Sequence, residues 1–133
     1  MGCDIHIVLE RRLPGKEWVG LYATDYHPGG RLSVAKRDYE FFAEIASVRG
    51  SSKSSRYPKN VPEDLSELAW TEYMRCPTDH HSASHASLAD FCDVYLSVNP
   101  NAGRKEFAAH DLFGVDSDWP ENAEYRVVFW FDN

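Results

Sequence analysis

Apolar and polar residues alternate over the first ten positions of the chain, and this period of two is typical of a β-strand. One face of the strand carries Cys3, Ile5, Ile7 and Leu9, and the other carries Asp4, His6, Val8 and Glu10. Because an acid and an imidazole two residues apart on a strand stand side by side, the second face suits a metal ion, a proton transfer or a polar ligand.

Two more segments have the character of strands. Residues 13–16 (Leu-Pro-Gly-Lys) have turn chemistry, and the apolar and aromatic residues at 17–22 follow them, so the chain is predicted to open with a β-hairpin. Residues 125–131 are rich in β-branched and aromatic side chains, which predicts another strand near the end of the sequence.

The segments between these strands have helical spacing of their apolar residues. The predicted helices lie near residues 39–48, 64–74 and 88–97. Gly50 can end the first helix, and Ser87 with Asp90 resembles a capping box at the start of the third. We interpret the polar run at 77–85 as an irregular lead-in, which would put its histidines at a helix N-terminus.

Strands at both ends with helices between them predict a single α+β domain over residues 1–133. The N-terminal hairpin and the C-terminal strand would share a small antiparallel sheet, with about three helices covering one face. In an antiparallel pair the end of the last strand lies beside the start of the first. Asp132 would then approach Asp4 and His6 and form a polar cluster with them.

Composition narrows the classes of function. A chain of 133 residues with a formal charge of −7 lacks the basic surface that general nucleic-acid binding requires. Three cysteines without a C-x-x-C pair indicate neither a disulfide framework nor a zinc ribbon, so a reducing cytoplasm is the expected location. No segment approaches the ~20 apolar residues of a membrane span, so a soluble protein with no membrane partner is expected. A homo-oligomer is left open.

Several segments together resemble a family of small, functionally uncharacterised proteins encoded by tailed bacteriophages and prophages. They are residues 3–6 (Cys-Asp-Ile-His), 37–50, 61–66, 81–84 and 126–133, which end in Phe-Trp-Phe-Asp-Asn. The resemblance implies a phage-related origin, and it assigns no reaction. It also implies a set of polar positions as site residues: Asp4, His6, Arg37, Tyr39, Arg49, His81, Ser82, Ser84 and Asp132.

One hypothesis for this set is a divalent metal site. The Asp-x-His pair of Asp4 and His6 resembles one used by metal-dependent phosphoesterases. His81, with Asp79, His80 and His85 as further candidates, could complete a shell of nitrogen and oxygen ligands. The further Gly-Asp and Asn-His motifs of those enzymes are absent from the sequence. The structural alternative is that His6 is a buried imidazole held by a hydrogen bond.

A second hypothesis is a pocket for a small anionic or nucleotide-like ligand, such as a host metabolite bound in a counter-defence role. The predicted helix N-terminus near Ser87 would offer N–H donors, with the hydroxyls of Ser82 and Ser84 beside it. Arg37 and Arg49 would supply guanidinium groups. Two aromatic side chains could stack on a flat ring, namely Tyr39 and Trp130. In the structural alternative, the serines cap a helix, the arginines form ion pairs at the surface, and the aromatic side chains fill the core.

A third hypothesis is inhibition of a host protein by direct contact. The charge of −7 would favour a basic partner through electrostatic steering. No segment of the sequence marks the interface, so the sequence leaves the choice among the three open.

Overall fold

Two long strands, built from the first and last apolar segments of the sequence, lie at the centre of one antiparallel sheet. The structure is a computed structural model that describes residues 4–23, 39–48, 50, 60–75, 80–100 and 122–132. The elements in chain order are β1 (Asp4–Arg12), β2 (Val19–Ala23), α1 (Tyr39–Ala46), α2 (Glu67–Arg75), β3 (His80–Ser87), α3 (Leu88–Val98) and β4 (Glu124–Asp132). The strand order β2-β1-β4-β3 confirms the predicted α+β class and the antiparallel pairing of the hairpin with the C-terminal strand.

The hairpin turn has the conformation that its sequence predicts. The N–H of Lys16 donates to the carbonyl oxygen of Leu13 at 3.0 Å. Pro14 and Gly15 occupy the central positions, and Gly15 has a φ of 72°. A type II turn requires a positive φ at its third residue, which glycine adopts without steric cost.

One face of the sheet holds the larger core, beneath α1 and α3. Its centre is a group of fully buried phenylalanines: Phe41, Phe42, Phe91, Phe129 and Phe131. Neighbouring rings meet edge to face, for example Phe41 and Phe91 at 5.2 Å between centroids. Such pairs add about 0.5–1.5 kcal/mol to the free energy gained by burial alone.

The helices cover both faces of the sheet, so the prediction that they cover one face is wrong. On the second face α2 packs against Val8, Val128 and Trp130 through Ala69 and other residues of its inner side. The face of β1 that was predicted to carry chemistry is therefore mostly core. Only its first part, at Asp4 and His6, is partly exposed.

Backbone capping moves the ends of two predicted helices. The first helix ends at Ala46 and does not continue to residue 48, because Ser47 adopts a left-handed φ of 56°. The second begins at Glu67, about one turn later than predicted. Ser66 is its N-terminal cap, since its Oγ accepts the N–H of Ala69 at 3.1 Å.

Of the polar run predicted to be irregular, residues 80–85 instead belong to a strand, β3, which pairs with β4 at the edge of the sheet. Residues 77–79 lie outside the described residues. The sequence of β3, His-His-Ser-Ala-Ser-His-Ala-Ser, contains no β-branched or aromatic hydrocarbon side chain. Intrinsic propensity therefore gives no strand signal. The strand is stabilised instead by its pairing with β4, one of the most apolar segments of the chain.

No helix within the described ranges has the length and apolar character needed to cross a membrane.

A buried ion pair ties α2 to the sheet. Glu10 and Arg126 are directly opposite on β1 and β4, and the Nε of Arg126 donates to Glu10 Oε1 at 2.5 Å. The second oxygen of Glu10, which is fully buried, accepts the N–H of Ser66 at 2.6 Å. Arg126 also donates to the side chain and the carbonyl oxygen of Asp64, each at 2.9 Å. The segment before α2 is thus bound to both central strands.

The indole of Trp18 lies close to two guanidinium groups at this point. The Cζ atoms of Arg126 and Arg12 are 3.9 and 4.6 Å from the centre of its ring, within the range of cation–π attraction. Its buried Nε1 makes no hydrogen bond of normal geometry within the part of the chain that the structure describes, although it lies close enough to the Asp64 carboxylate to favour the ionised form.

The ion pair generates a prediction for stability. We expect Glu10→Gln to lower the free energy of unfolding by about 3 kcal/mol, because it leaves a buried guanidinium without its full counter-charge. Chemical denaturation measures the change. The matched control is Glu124→Gln, which removes an exposed carboxylate 3.0 Å from Arg12 and should cost less than about 1 kcal/mol. Equal losses in the two variants would contradict this prediction.

Asp64 generates a prediction for pH dependence. The hydrogen bond from Arg126 holds the pKa of Asp64 below its usual value of 3.8, with help from the charge of that guanidinium and against the effect of desolvation. A lowered pKa stabilises the fold fully above the unfolded value, and the contribution is lost as pH falls through the folded value. The difference in Tm between wild type and Asp64→Asn should therefore be largest above pH 3.8 and shrink below it. A difference that is constant with pH, or the same trend in the neighbouring control Glu63→Gln, would contradict it.

Candidate functional site

A histidine and an aspartate from the two central strands meet at one end of the sheet. The Nε2 of His6 lies 2.5 Å from Oδ2 of Asp132, close enough for a hydrogen bond from the imidazole to the carboxylate. The side chains are 21% and 38% exposed. The pair is thus held by the fold and still open to a ligand.

The surroundings of the pair are acidic and aromatic. Asp4 is directly opposite Asp132 in the register of β1 and β4, on the same face of the sheet. The ring of His6 stacks on Trp130, with 10° between the planes and 6.1 Å between the centres. Trp130 is itself only 4% exposed, so it supports His6 from below and does not offer its own face to a ligand.

A second histidine completes this end of the sheet. His80 is opposite Asp132 in the register of β3 and β4. Its Nε2 donates to the carbonyl oxygen of Tyr73 at 3.0 Å, and its ring lies 4.4 Å from the ring of Tyr73. The last turn of α2 is thereby fixed beside the cluster. We define the polar end cluster as Asp4, His6, His80 and Asp132.

His81 lies on the other face of the sheet from His6. It is opposite Phe131 in the register, stacks on that ring at 6.2 Å, and its Nδ1 lies 2.9 Å from the Oγ of Ser82. His6 is opposite Trp130, the neighbour of Phe131, and side chains alternate along β4. The structure therefore does not bring the proposed metal ligands Asp4, His6 and His81 together.

The two serines have separate roles in β3. Two residues of β3, Ser82 and Ala83, stand between His81 and Ser84, whereas one residue of β4 stands between their partners. This is a β-bulge, and Ser82 has a φ of 55° within it. Ser84 is fully buried opposite Phe129. Neither serine belongs to a helix N-terminus, so that prediction is wrong.

The helix N-terminus near Ser87 is real, but it lies away from the cluster. The Oγ of Ser87 accepts the N–H of Asp90 at 3.1 Å and caps α3, as predicted. However, Ser87 is opposite Arg126, whereas His80 is opposite Asp132. The length of β3, roughly 20 Å, separates the two ends, so the predicted pocket that combines them is not formed.

The remaining site predictions concern Tyr39, Arg37 and Arg49. Tyr39 packs against the larger core and meets the ring of Phe42 at 5.6 Å, on the face away from His6. Arg37 and Arg49 lie outside the described residues.

The geometry of the polar end cluster favours hydrogen bonding and proton transfer. An imidazole oriented by a carboxylate can accept or donate a proton, provided that a substrate comes within hydrogen-bond reach. Among the described residues, no group of three or more histidine, cysteine, aspartate or glutamate side chains has the arrangement of a metal site.

The sequence predicts the meeting of His6 and Asp132 and includes His80 among the possible metal ligands, but it does not predict the contact of His80 with Tyr73. His80 joins the polar end cluster because β3 pairs with β4, and the sequence of β3 gives no strand signal. Tyr73 faces the cluster because α2 covers the second face of the sheet, which was not predicted.

The chain matches no protein-family model, no curated protein and no solved structure in comparisons with each.

The bulge in β3 gives a test of local strain. A β-branched residue in the left-handed region is strained, so Ser82→Val should lower the free energy of unfolding by about 1–2 kcal/mol. Ser82→Gly should cost less than Ser82→Val, because glycine adopts the same φ freely. Both variants lose the hydroxyl beside His81, so that loss does not contribute to the difference between them. A valine variant as stable as the glycine variant would refute a left-handed Ser82.

Proposed function

We propose that the protein binds a small nucleotide-like metabolite at the polar end cluster and acts as an accessory protein of a bacteriophage. The observation that carries the proposal is the His6–Asp132 pair, hydrogen-bonded at 2.5 Å and partly open to solvent. Both side chains keep part of their surface open to solvent, so a ligand can reach them. The phage origin rests on the sequence resemblance alone.

The charges of the cluster favour the base of such a ligand over its phosphate. Asp4 and Asp132 accept hydrogen bonds, which suits the amino and ring N–H groups of a nucleobase. The imidazole of His6 can act as a donor or an acceptor, depending on its tautomer. A simple anion would meet two carboxylates at the same edge, so the nucleotide-like half of the hypothesis is the better supported. Arg37 and Arg49 remain the predicted partners of a phosphate.

The biological role that fits these features is capture of a host metabolite in the cytoplasm of the infected cell. Capture of a nucleotide-like defence signal would give the phage a counter-defence function. Binding does not require turnover, and the His6–Asp132 pair alone does not supply a nucleophile. Ser84 does not supply one either, because it is buried on the face of the sheet away from His6.

A thermal-shift experiment with AMP, cyclic AMP and ADP-ribose tests the proposal. A compound that binds only the folded state stabilises it by RT ln(1 + [L]/Kd), about 2.7 kcal/mol at a hundredfold excess over Kd, and so raises Tm. We expect at least one compound to raise Tm, and the rise to be lost in His6→Ala and in the nearly isosteric Asp132→Asn. The quantity compared is the rise caused by the ligand, which corrects for any change in the stability of the variant.

The matched control is His81→Ala, a histidine on the opposite face of the sheet, which should keep the full rise. Chromatography of the incubated compound then distinguishes capture from cleavage. If no compound raises Tm, or if His81→Ala abolishes the rise while Asp132→Asn does not, ligand binding at the polar end cluster is wrong.

A further inference from the structure

Large apolar side chains are exposed on α2 and on the hairpin. Trp70 and Met74 lie one turn apart on α2 and are 57% and 42% exposed, and Val19 at the start of β2 is 54% exposed. The inner side of α2 already fills the core through residues such as Ala69. Trp70 and Met74 therefore leave neighbouring apolar surface exposed on α2, and grouped exposed apolar side chains are a feature of interaction surfaces.

An open cleft lies between the hairpin and the first turns of α2, with a volume of about 940 Å³. Leu65, Leu68 and Val19 give its walls apolar surface. The helix comes very close to β2 here, since a Cβ on Gly20 would be 2.5 Å from the Cβ of Leu68. The cleft borders the exposed stripe of α2, because Glu67 and Thr71 line it and stand three positions before Trp70 and Met74.

Acidic side chains outnumber basic ones around the cleft, with Glu17 on the hairpin and Glu67 on α2. Glu17 and Glu67 line the cleft, are exposed, and have no ionic partner among the described residues. The guanidinium of Arg12 is already held by both oxygens of Glu124 at 3.0 Å. Lys16 is then the one cation of the lining whose charge is unmatched within the described ranges.

We propose that this α2–hairpin surface, made of Glu17, Val19, Glu67, Leu68, Trp70 and Met74, docks a segment of a partner protein that carries both basic and apolar side chains. Apolar side chains of the segment would enter the cleft and cover Trp70, while its lysines or arginines would meet Glu17 and Glu67. Tryptophan is among the residues that most often dominate such interfaces. The chain's charge of −7 would speed the encounter with a basic partner.

Charge argues against other occupants of the α2–hairpin surface. A nucleic acid or an anionic membrane would be repelled by the free carboxylates. A second copy of the chain would bring a molecule of equal charge, and in a two-fold dimer each patch would face its own like-charged counterpart. The surface is also separate from the polar end cluster, because the cleft adjoins the first turns of α2 and Trp70 and Met74 are exposed on that helix, whereas the cluster contacts α2 through Tyr73.

A peptide titration followed by NMR tests the proposal. The probe is a short blocked peptide of alternating lysine and leucine, and the comparison probe alternates glutamate and leucine. We expect the basic peptide to shift the amide signals of residues 17–20 and 67–74 and the acidic peptide to shift none. Trp70→Ala should weaken binding of the basic peptide about tenfold or more, equivalent to a loss of about 1.4 kcal/mol.

Charge variants separate a defined site from diffuse attraction to an acidic protein. The double variant Glu17→Gln with Glu67→Gln should weaken binding several-fold. The matched control, Glu40→Gln with Asp93→Asn, removes two exposed acids from α1 and α3 and should leave the affinity unchanged. The proposal is wrong if the two double variants weaken binding equally, if the shifted signals lie elsewhere, or if the peptide does not bind. It is also wrong if light scattering finds a dimer that Trp70→Ala dissociates, because the surface would then belong to a second copy.

Discussion

The arrangement of this fold depends on one buried ion pair, between Glu10 of β1 and Arg126 of β4. Taking both charges out of water is costly, and their mutual attraction offsets that cost only if the remaining polar atoms are also satisfied. Here the second oxygen of Glu10 binds the N–H of Ser66, and the rest of the Arg126 guanidinium binds Asp64. These bonds fix the position of the segment that precedes α2. The helix that follows this segment is thereby held against the second face of the sheet.

The position of α2 also determines what each end of the helix contacts. Ser66 caps the helix at the ion pair, which holds the first turn next to the hairpin and forms the cleft there. At the other end the carbonyl oxygen of Tyr73 receives the imidazole of His80 and fixes the wall of the polar end cluster. The two candidate sites share a helix and no residues, so a variant in one leaves the other chemically intact.

The sequence predicts those parts of the fold in which each residue's own preference agrees with its place. The alternation in β1, the aromatic run of β4, the Pro-Gly turn and the Ser87 cap are local signals, and together they brought His6 to Asp132. The sequence does not reveal features that depend on a partner distant in the chain. A glutamate in the middle of a strand is typical of a solvent-facing residue, and its contacts with Arg126 and with the N–H of Ser66 make the burial of Glu10 tolerable. β3 has no strand signal of its own, so its histidines were assigned to a helix N-terminus.

The bulge in β3 reverses the alternation of side chains between the two faces of the sheet. Because the bulge contributes one extra residue, His81 and Ser84 face the same side of the sheet although Ser84 comes three positions after His81. If the strand continued without it, His85 would turn into the core of phenylalanines, and Ser84 and Ala86 would turn away from it. Loss of a single residue here would therefore exchange the contents of the two faces over the whole second half of β3. A point substitution in the same strand would alter one side chain and leave the others in place.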